Sequence, residues 1–533
     1  MKQTRMTGFR AAIGRLLTGT RANRSLDLPP GIREEIAREN LPFLEQWLQL
    51  LRSNPDGIDL DALIEEARQL NWQTKNIERL RIYGFYYRGA LDEAHRLAVK
   101  YLAEEEFDAA IFSLACFSLY HMGRFEDAYT QLKSADNMRD LLESRPDYSV
   151  IAALICSSAN QLEEMKQHID RARKLSPDDP VVACNALDMY LELGDMPGFE
   201  RVRQEIHQGR YPLDQVGVPF STVELALDHY RDGFRLMELR YKSSEADLFM
   251  NRALFGHPRW QGEPHSGKTL LVSAEQGLGD TIQMARYLPD LAQVWNGRIV
   301  FEAPMELQEL LQFNYPGVEV VPQQFGVLPT PVFDYWLGMM SLPHLLGTTS
   351  KSVPARAGYL NAPPESSDYW TRRVAKLARG RRPKIGLAWS GRPTHRADRR
   401  RSIPFIRIAE IIRKISADFF ALQIHVPQAR PENLIDVSEE LVTLADTAAL
   451  IAEMDLVITV DTSVVHLAGA MGKETWLLLP YRYEWRWGLE GESNHWYDSV
   501  KVLRQRKHDD WHGLLDETFG RRLSARLGKQ REK

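Results

Sequence analysis

Along the first half of the chain, apolar positions recur every three to four residues, and the helical segments they mark are separated by one recurring phrase. It reads Gly89-Ala90-Leu91-Asp92-Glu93-Ala94, then Gly123-Arg124-Phe125-Glu126-Asp127-Ala128, Asn160-Gln161-Leu162-Glu163-Glu164-Met165, and Gly194-Asp195-Met196-Pro197-Gly198-Phe199. Its third residue, Leu91, Phe125, Leu162 and Met196, recurs at spacings of 34, 37 and 34. A period of this length marks stacked helical hairpins. The phrase has a physical logic. Gly or Asn at its head takes the left-handed conformation that ends one helix, and the apolar residue staples the next. The acids that follow sit at the new N-terminus, where the helix dipole favours them. Pro177, preceded by Ser176 and followed by two acids, closes the third copy.

From residue 268 the pattern changes to short apolar runs alternating with helix-like stretches, which predicts an α/β arrangement with parallel strands. Thr269 to Ser273 reads as a buried strand, Asp280 to Ala292 as a helix and Arg298 to Phe301 as the next strand. A second series has a strand at Lys384 to Trp389, a helix at Phe405 to Ile415 and a strand at Leu456 to Val460. A polar, Pro-containing stretch at 361–383 lies between them and reads as a hinge. The predicted fold class is therefore α plus α/β. It comprises a basic segment 1–26, a helical-repeat domain 27–240, a linker 241–267, Rossmann-like lobes at 268–365 and 380–510, and a C-terminal helix with a basic tail, 511–533.

With 533 residues, 44% hydrophobic and 26% charged, the chain has the composition of a folded protein of several domains. Its net charge of −5 gives no global field that would hold nucleic acid. No apolar run is long enough to span a bilayer. The three cysteines, Cys116, Cys156 and Cys184, form no CxxC pair, so neither a disulfide framework nor a thiolate zinc site is expected, and a reducing cytoplasm fits. Residues 1–26 differ, holding Lys2 and five arginines with no acid, while Phe9, Ile13, Leu16 and Leu17 can share a helical face. A mobile basic tail, a docking arm and a membrane-surface helix all fit this segment. It lacks the apolar core and cleavage site of a secretory signal.

The candidate chemistry lies in the second half. Gly262-Glu263-Pro264-His265-Ser266-Gly267-Lys268-Thr269 matches the phosphate-loop pattern, but that loop must follow a strand and open a helix, and here a strand follows. Gln276, Gly277, Gly279 and Asp280 fall at the carboxyl end of the first predicted strand, where open α/β sheets bind ligands. In the second lobe, the strand Leu456 to Val460 ends in Asp461-Thr462-Ser463, followed by a helix carrying His466 in its first turn. Helix amides, two hydroxyls and an imidazole donor there make an anion site. Ser390 ends the first strand of this lobe, and a basic loop, Arg396 to Arg401, follows. No DxD motif stands in either lobe, and Asp59-Leu60-Asp61 lies far away, so no essential metal is expected.

Two resemblances follow from these residues. The 34-residue phrase resembles the tetratricopeptide repeat over residues 74–210, with Asn160 for the turn glycine and Met165 and Phe199 for small residues. Such hairpins imply a curved solenoid with a concave, peptide-binding face. On it Tyr83, Tyr86 and Tyr87 would lie beside Phe117 and Tyr120, either lining the face or packing between helices. Residues 268–505 resemble the ADP-heptose lipopolysaccharide heptosyltransferase family and its relatives fused to such repeats. The resemblance implies a two-lobed GT-B fold and a metal-independent, inverting transferase. It places the catalytic aspartate on Asp280, the Asp-Thr-Gly-x-x-His motif on Asp461, Thr462, Ser463 and His466, and a phosphate-binding lysine on Arg401. Ser463 for glycine and arginine for lysine depart from the pattern, and guanidinium offers different donor geometry.

The expected function is thus transfer of a sugar from a nucleotide-sugar co-substrate to a protein acceptor, with no further cofactor. Known fusions of this build point to a flagellin-like acceptor. A lipopolysaccharide-directed transferase, a non-catalytic repeat adaptor with a degenerate nucleotide-sugar half, and a sugar-nucleotide epimerase are the alternatives. If the repeats do not select the acceptor, Tyr483, Trp485 and Trp487 at the cleft are the next candidates.

Overall fold

In the computed structural model, each head residue of the repeated phrase has the conformation that the sequence demanded of it. Gly89, Asn160, Gly123 and Gly194 have φ of 73°, 60°, 74° and 70°. Asn160 stands in for glycine because a short polar side chain tolerates the left-handed region better than most. The structure describes residues 59–69, 73–242, 252–324, 327–329, 331–392, 398–481 and 484–531. The basic segment 1–26, residues 243–251 of the linker, Arg396 and Tyr483 lie outside them.

Among the described residues, four consecutive helical hairpins carry the phrase. They are Thr74–Tyr87 with Leu91–Glu104, Ala109–His121 with Phe125–Lys133, Pro146–Ser158 with Leu162–Leu175, and Pro180–Leu193 with Met196–His207. The longer middle spacing is taken up by a 3-10 turn, Asp136–Met138, and a short helix, Arg139–Glu143, between the second and third hairpins. Asp108 caps its helix by accepting from the amides of Ala110 (3.0 Å) and Ile111 (3.1 Å), and Asp179 does the same for Val181 and Val182. Caps of this kind contribute about 1 kcal/mol each.

The described residues divide into two compact units, the first running through Val216, the second beginning at Gly217 and including Gly217–Tyr241 and the residues from 252 onward. The helical stretch before residue 240, read from sequence as part of the repeat domain, thus contributes Gly217–Tyr241 to the α/β unit. Tyr230 and Phe234 in that stretch pack against Trp496, and Phe234 also packs against Trp485.

The second unit contains two sheets with parallel pairing throughout. One is four-stranded, in the order β3-β2-β1-β4, with β1 Ser266–Ser273, β2 Asn296–Ala303, β3 Glu319–Pro322 and β4 Tyr335–Gly338. The other is six-stranded, in the order β10-β9-β8-β5-β6-β7, with β5 Lys384–Ala388, β6 Asp418–Ala421, β7 Leu434–Ile435, β8 Leu456–Val460, β9 Thr475–Leu479 and β10 Val500–Arg504. Strand order reverses between β1 and β4 in one sheet and between β5 and β8 in the other, and such switch points open a crevice at the strands' carboxyl ends. One apolar core, including Leu270, Phe301, Leu450, Val465 and Trp496, runs through both lobes. No helix among the described residues is long and apolar enough to cross a membrane.

The phosphate-loop look-alike runs straight into β1, so no helix N-terminus faces it. Two sequence expectations need correction. Residues 361–383, read as a polar connecting stretch, are largely the helix Pro364–Leu377, whose buried side is Trp370 and Val374 alone. A helix polar on all but one narrow stripe reads as linker. The helix expected over 280–292 is two, Leu278–Ala285 and Leu288–Val294, divided at Arg286 and Tyr287 just before Pro289.

Candidate functional site

The site begins where β1 ends. Glu275 is buried, and its carboxylate accepts from Arg240 Nε (2.8 Å), Arg240 Nη2 (2.9 Å) and the Met340 amide (2.8 Å), which anchors the loop that follows. Gln276 turns the chain with φ of 65°, and Gly277 becomes the N-cap of Leu278–Ala285. Asp280, in the first turn, folds back so that Oδ2 accepts from the Gly277 amide at 2.8 Å. Its other oxygen, Oδ1, accepts from Arg486 Nη2, a residue of the second lobe.

Arg486 gathers several partners. Its Nε donates to Gln283 Oε1 (2.8 Å), its Nη1 pairs with Glu484, and its guanidinium lies 4.1 Å from the Trp485 ring centroid. Around it stand Asp280, Glu484 and Asp461. Burial raises the Glu484 carboxyl to about 7, Arg486 opposing and Asp461 reinforcing the rise. Burial likewise raises Asp461, against the pull of Arg486 and Arg401.

The second lobe's half of the site hangs from the ends of β5 and β8. Gln423 Oε1 accepts from the amides of Trp389 and Ser390 (2.9 Å each) and its Nε2 donates to Ser390 Oγ (3.2 Å), so Ser390 is fixed by a side chain from beyond β6. Arg401 crosses over Gly391, where any Cβ would collide with Arg401 and Asp398. Its Nη1 donates to the Asp461 carbonyl at 2.8 Å and its Nε to Asp398 at 3.3 Å. Asp461 Oδ1 accepts from Trp487 Nε1 at 3.1 Å. Thr462 caps the helix Ser463–Ala470 by accepting from the Val464 amide, and Ser463 stands half-buried at its start.

The structure brings Gln276, Gly277, Gly279 and Asp280 from one switch point to the same lobe junction as Asp461, Thr462 and His466 from the other, with Ser390 and Arg401 beside the latter. Helix Leu278–Ala285 packs on helix Ser463–Ala470. His466, expected as a donor projecting from its helix, is instead buried at 4% exposure between Trp487 and Tyr497, with Nδ1 3.0 Å from the Tyr497 hydroxyl. Burial, together with the charges of Arg486 and Arg286, pushes its pKa well down. A Cβ on Gly279 would lie 2.7 Å from His466 Cδ2, which is why this second glycine is required.

Sequence reasoning missed Glu484, Arg486 and Gln283. The signal was the run Glu484-Trp485-Arg486-Trp487, where charges alternate with aromatic rings that had been noted alone. In the repeat unit, Tyr83, Tyr86 and Tyr87 are interior, at 0–1% exposure. Phe117 and Tyr120 are half-buried, their rings stacked at 5.5 Å, with Phe117 stacked on Tyr86 at 6.4 Å. The three tyrosines are packing residues; Phe117 and Tyr120 alone of the five retain an accessible side.

Fold and site together define a protein with a helical-repeat unit and a two-lobed α/β unit whose strand switch points meet at a charged junction. No protein-family model matches the chain. It is similar to Protein FlbA of Caulobacter vibrioides, 26% identical over 448 residues, which are 78% of this chain and 72% of FlbA. Solved structures that resemble it include the ADP-heptose LPS heptosyltransferase II of E. coli, at 15% identity over 50% of this chain and 100% of that one, with a TM-score of 0.36. Another is a family 9 glycosyl transferase of Veillonella parvula, at 12% identity over 48% of this chain and 92% of that one, with a TM-score of 0.33.

Proposed function

We propose that the chain is a glycosyltransferase, moving a sugar from a nucleotide-sugar donor to a protein acceptor recruited by its repeats. The observation that carries this reading is the placement of Asp280, a carboxylate at the first turn of a helix on one switch point, packed against the helix that starts at the other. The turn after β8 offers what a diphosphate needs: the amides of the eight-residue helix Ser463–Ala470, the hydroxyls of Thr462 and Ser463, and the Arg401 guanidinium beside them. Gln276, Gly277, Gly279, Ser390 and Asp461 complete the donor site, with His466 holding its helix against Gly279.

In this reading the acceptor hydroxyl oxygen attacks the anomeric carbon, its proton passes to Asp280, and the sugar–phosphate bond breaks on the opposite face, inverting the centre. Charge that accumulates on the leaving diphosphate is met by fixed donors that need no reorganisation. Arginine and helix amides supply the positive charge, so neither Mg²⁺ nor Mn²⁺ is required and the rate is unchanged in EDTA. A cytoplasmic, flagellin-like acceptor belongs to the same proposal.

The test is intact mass spectrometry of proteins co-purified with the wild-type chain and with Asp280→Asn. A sugar-sized increment on a bound protein, present with wild type and absent with the variant, is expected. The same increment with both would remove Asp280 from the chemistry, and no increment with either would remove the protein acceptor.

A further inference from the structure

The third hairpin of the repeat unit holds a cluster that the transferase reading does not use. Cys156 lies in the last turn of Pro146–Ser158, while Glu164 and His168 lie four residues apart on Leu162–Leu175, hence on one face one turn apart. One ligand atom from each of the three lies within 4.8 Å of the others, and Cys156 Sγ is 3.9 Å from Glu164 Oε2. The spacing Cys-x7-Glu-x3-His contains no CxxC pair, so it does not register as a metal motif in the sequence; the hairpin turn at Asn160 assembles it.

We propose that Cys156, Glu164 and His168 form a three-ligand site for a divalent ion of the zinc type, with water as the fourth ligand. Sulfur, imidazole nitrogen and carboxylate oxygen are the donor set zinc favours. Ligand atoms around tetrahedral zinc stand about 3.3 to 3.7 Å apart, so small side-chain rotations close the cluster. His168 Nδ1 is buried without a hydrogen-bond partner, a state that costs free energy unless something else engages the ring.

Surrounding groups provide an outer shell and a way in. Tyr129 donates to Glu164 Oε1 at 2.9 Å, and the Tyr148 ring stands edge-on to His168 at 6.0 Å. Lys133 pairs with Glu164 Oε2 at 3.1 Å and is the ion's competitor. Its side chain is 39% exposed and that of Glu164 31%, so the lysine can turn into water at little cost. Binding releases the Cys156 proton to solvent and leaves a thiolate on the metal.

The experiment uses the full chain, stripped with a chelator, dialysed, and titrated with ZnCl₂ and with CoCl₂. One ion per chain is expected, with a thiolate-to-cobalt charge-transfer band that is lost in Cys156→Ser and kept in Cys184→Ser. Glu164→Gln and His168→Gln, both at half-buried positions, should each weaken zinc binding by about tenfold or more, and Lys133→Met should tighten it. Circular dichroism checks the fold of each; should Cys156→Ser fail to fold, Glu164→Gln, His168→Gln and Lys133→Met decide. No stoichiometric ion, a cobalt spectrum without the thiolate band, or affinities unmoved by Glu164→Gln and His168→Gln would overturn the site.

Discussion

Arg486, from the second lobe, donates through Nη2 to Asp280 Oδ1 in the first, across a separation of 206 residues in sequence. Asp280 Oδ2 is held by the Gly277 amide, so each oxygen of the proposed base carries one hydrogen bond, and the lone pairs left over are open to an acceptor hydroxyl beside Arg486. The same arginine screens Asp280, Glu484 and Asp461 from one another. Arg486→Met should therefore destabilise the protein by about 3 kcal/mol near neutrality, because truncating one partner leaves poorly solvated charges unpaired. Acid should restore part of the loss by protonating the carboxylates. Urea unfolding at pH 5 and pH 8 measures both effects, and equal stability of variant and wild type at pH 8 would contradict the role given to the pair.

Asp280→Asn keeps an oxygen that can accept from Gly277 but removes the proton acceptor. Transfer should fall by about 10² to 10⁴, while nucleotide affinity measured by calorimetry stays within about twofold, since Asp280 is assigned to the acceptor. A parallel loss of nucleotide affinity would move Asp280 into the donor site.

Glu484 gives a pH signature whose sign can be worked out. Its carboxyl rises from 4.5 unfolded to about 7 folded, chiefly through burial, so between those values the native state binds more protons than the unfolded one. Its contribution to stability is thus present at and below the unfolded value and is lost as pH rises towards 7. Glu484→Gln mimics the protonated form at every pH. The difference in Tm, variant minus wild type, should grow between pH 5 and pH 7.5 and then level off. A difference that is flat or shrinks over that window would show that Glu484 is not raised.

The repeat unit and both switch points were legible because each depends on local grammar: a left-handed residue at a fixed period, or a strand that ends in capping residues. Asp461, Thr462 and Asp280 announce themselves in this way. Arg486 does not, since its partner Asp280 stands on the other lobe, and no periodicity reports a pair 206 residues apart. The tyrosines Tyr83, Tyr86 and Tyr87 failed for the opposite reason. Helical spacing says that they share a region but not whether that region faces water or the next helix, and burial decides for the interior.

That burial separates two classes of repeat mutation. Tyr83→Ala removes a ring with 0% exposure and should cost about 3 to 5 kcal/mol, the range for emptying an aromatic core site. Tyr120→Ala, at a half-buried position, should cost far less stability, and on the reading proposed above, with the Phe117–Tyr120 stack as the acceptor's contact, it should weaken acceptor binding. Thermal melts and pull-down of the co-purified acceptor distinguish the two. Stability losses of equal size would place Tyr120 in the core as well.

The closeness of the lobes rests on Gly279 and His466, and the pair can be tested as a pair. An ideal Cβ at 279 would stand 2.7 Å from His466 Cδ2, a distance that van der Waals contact does not allow, and His466 cannot retreat because Trp487 and Tyr497 pack on it and Tyr497 is hydrogen-bonded to its ring. Gly279→Ala must therefore displace one helix from the other, costing about 1 to 3 kcal/mol by overpacking even though alanine is the better helix former. His466→Ala alone leaves a cavity and should also destabilise. Combined, the methyl has the room that the imidazole vacated, so the double variant should be more stable than the sum of the single effects predicts, by about 1 kcal/mol or more. Nucleotide affinity should follow the same cycle if the two helices carry the two halves of the donor site, as proposed above. Strict additivity in both stability and nucleotide binding would mean that the lobes do not meet through this contact in solution, and the junction of Asp280 with the turn after β8 would lose its support.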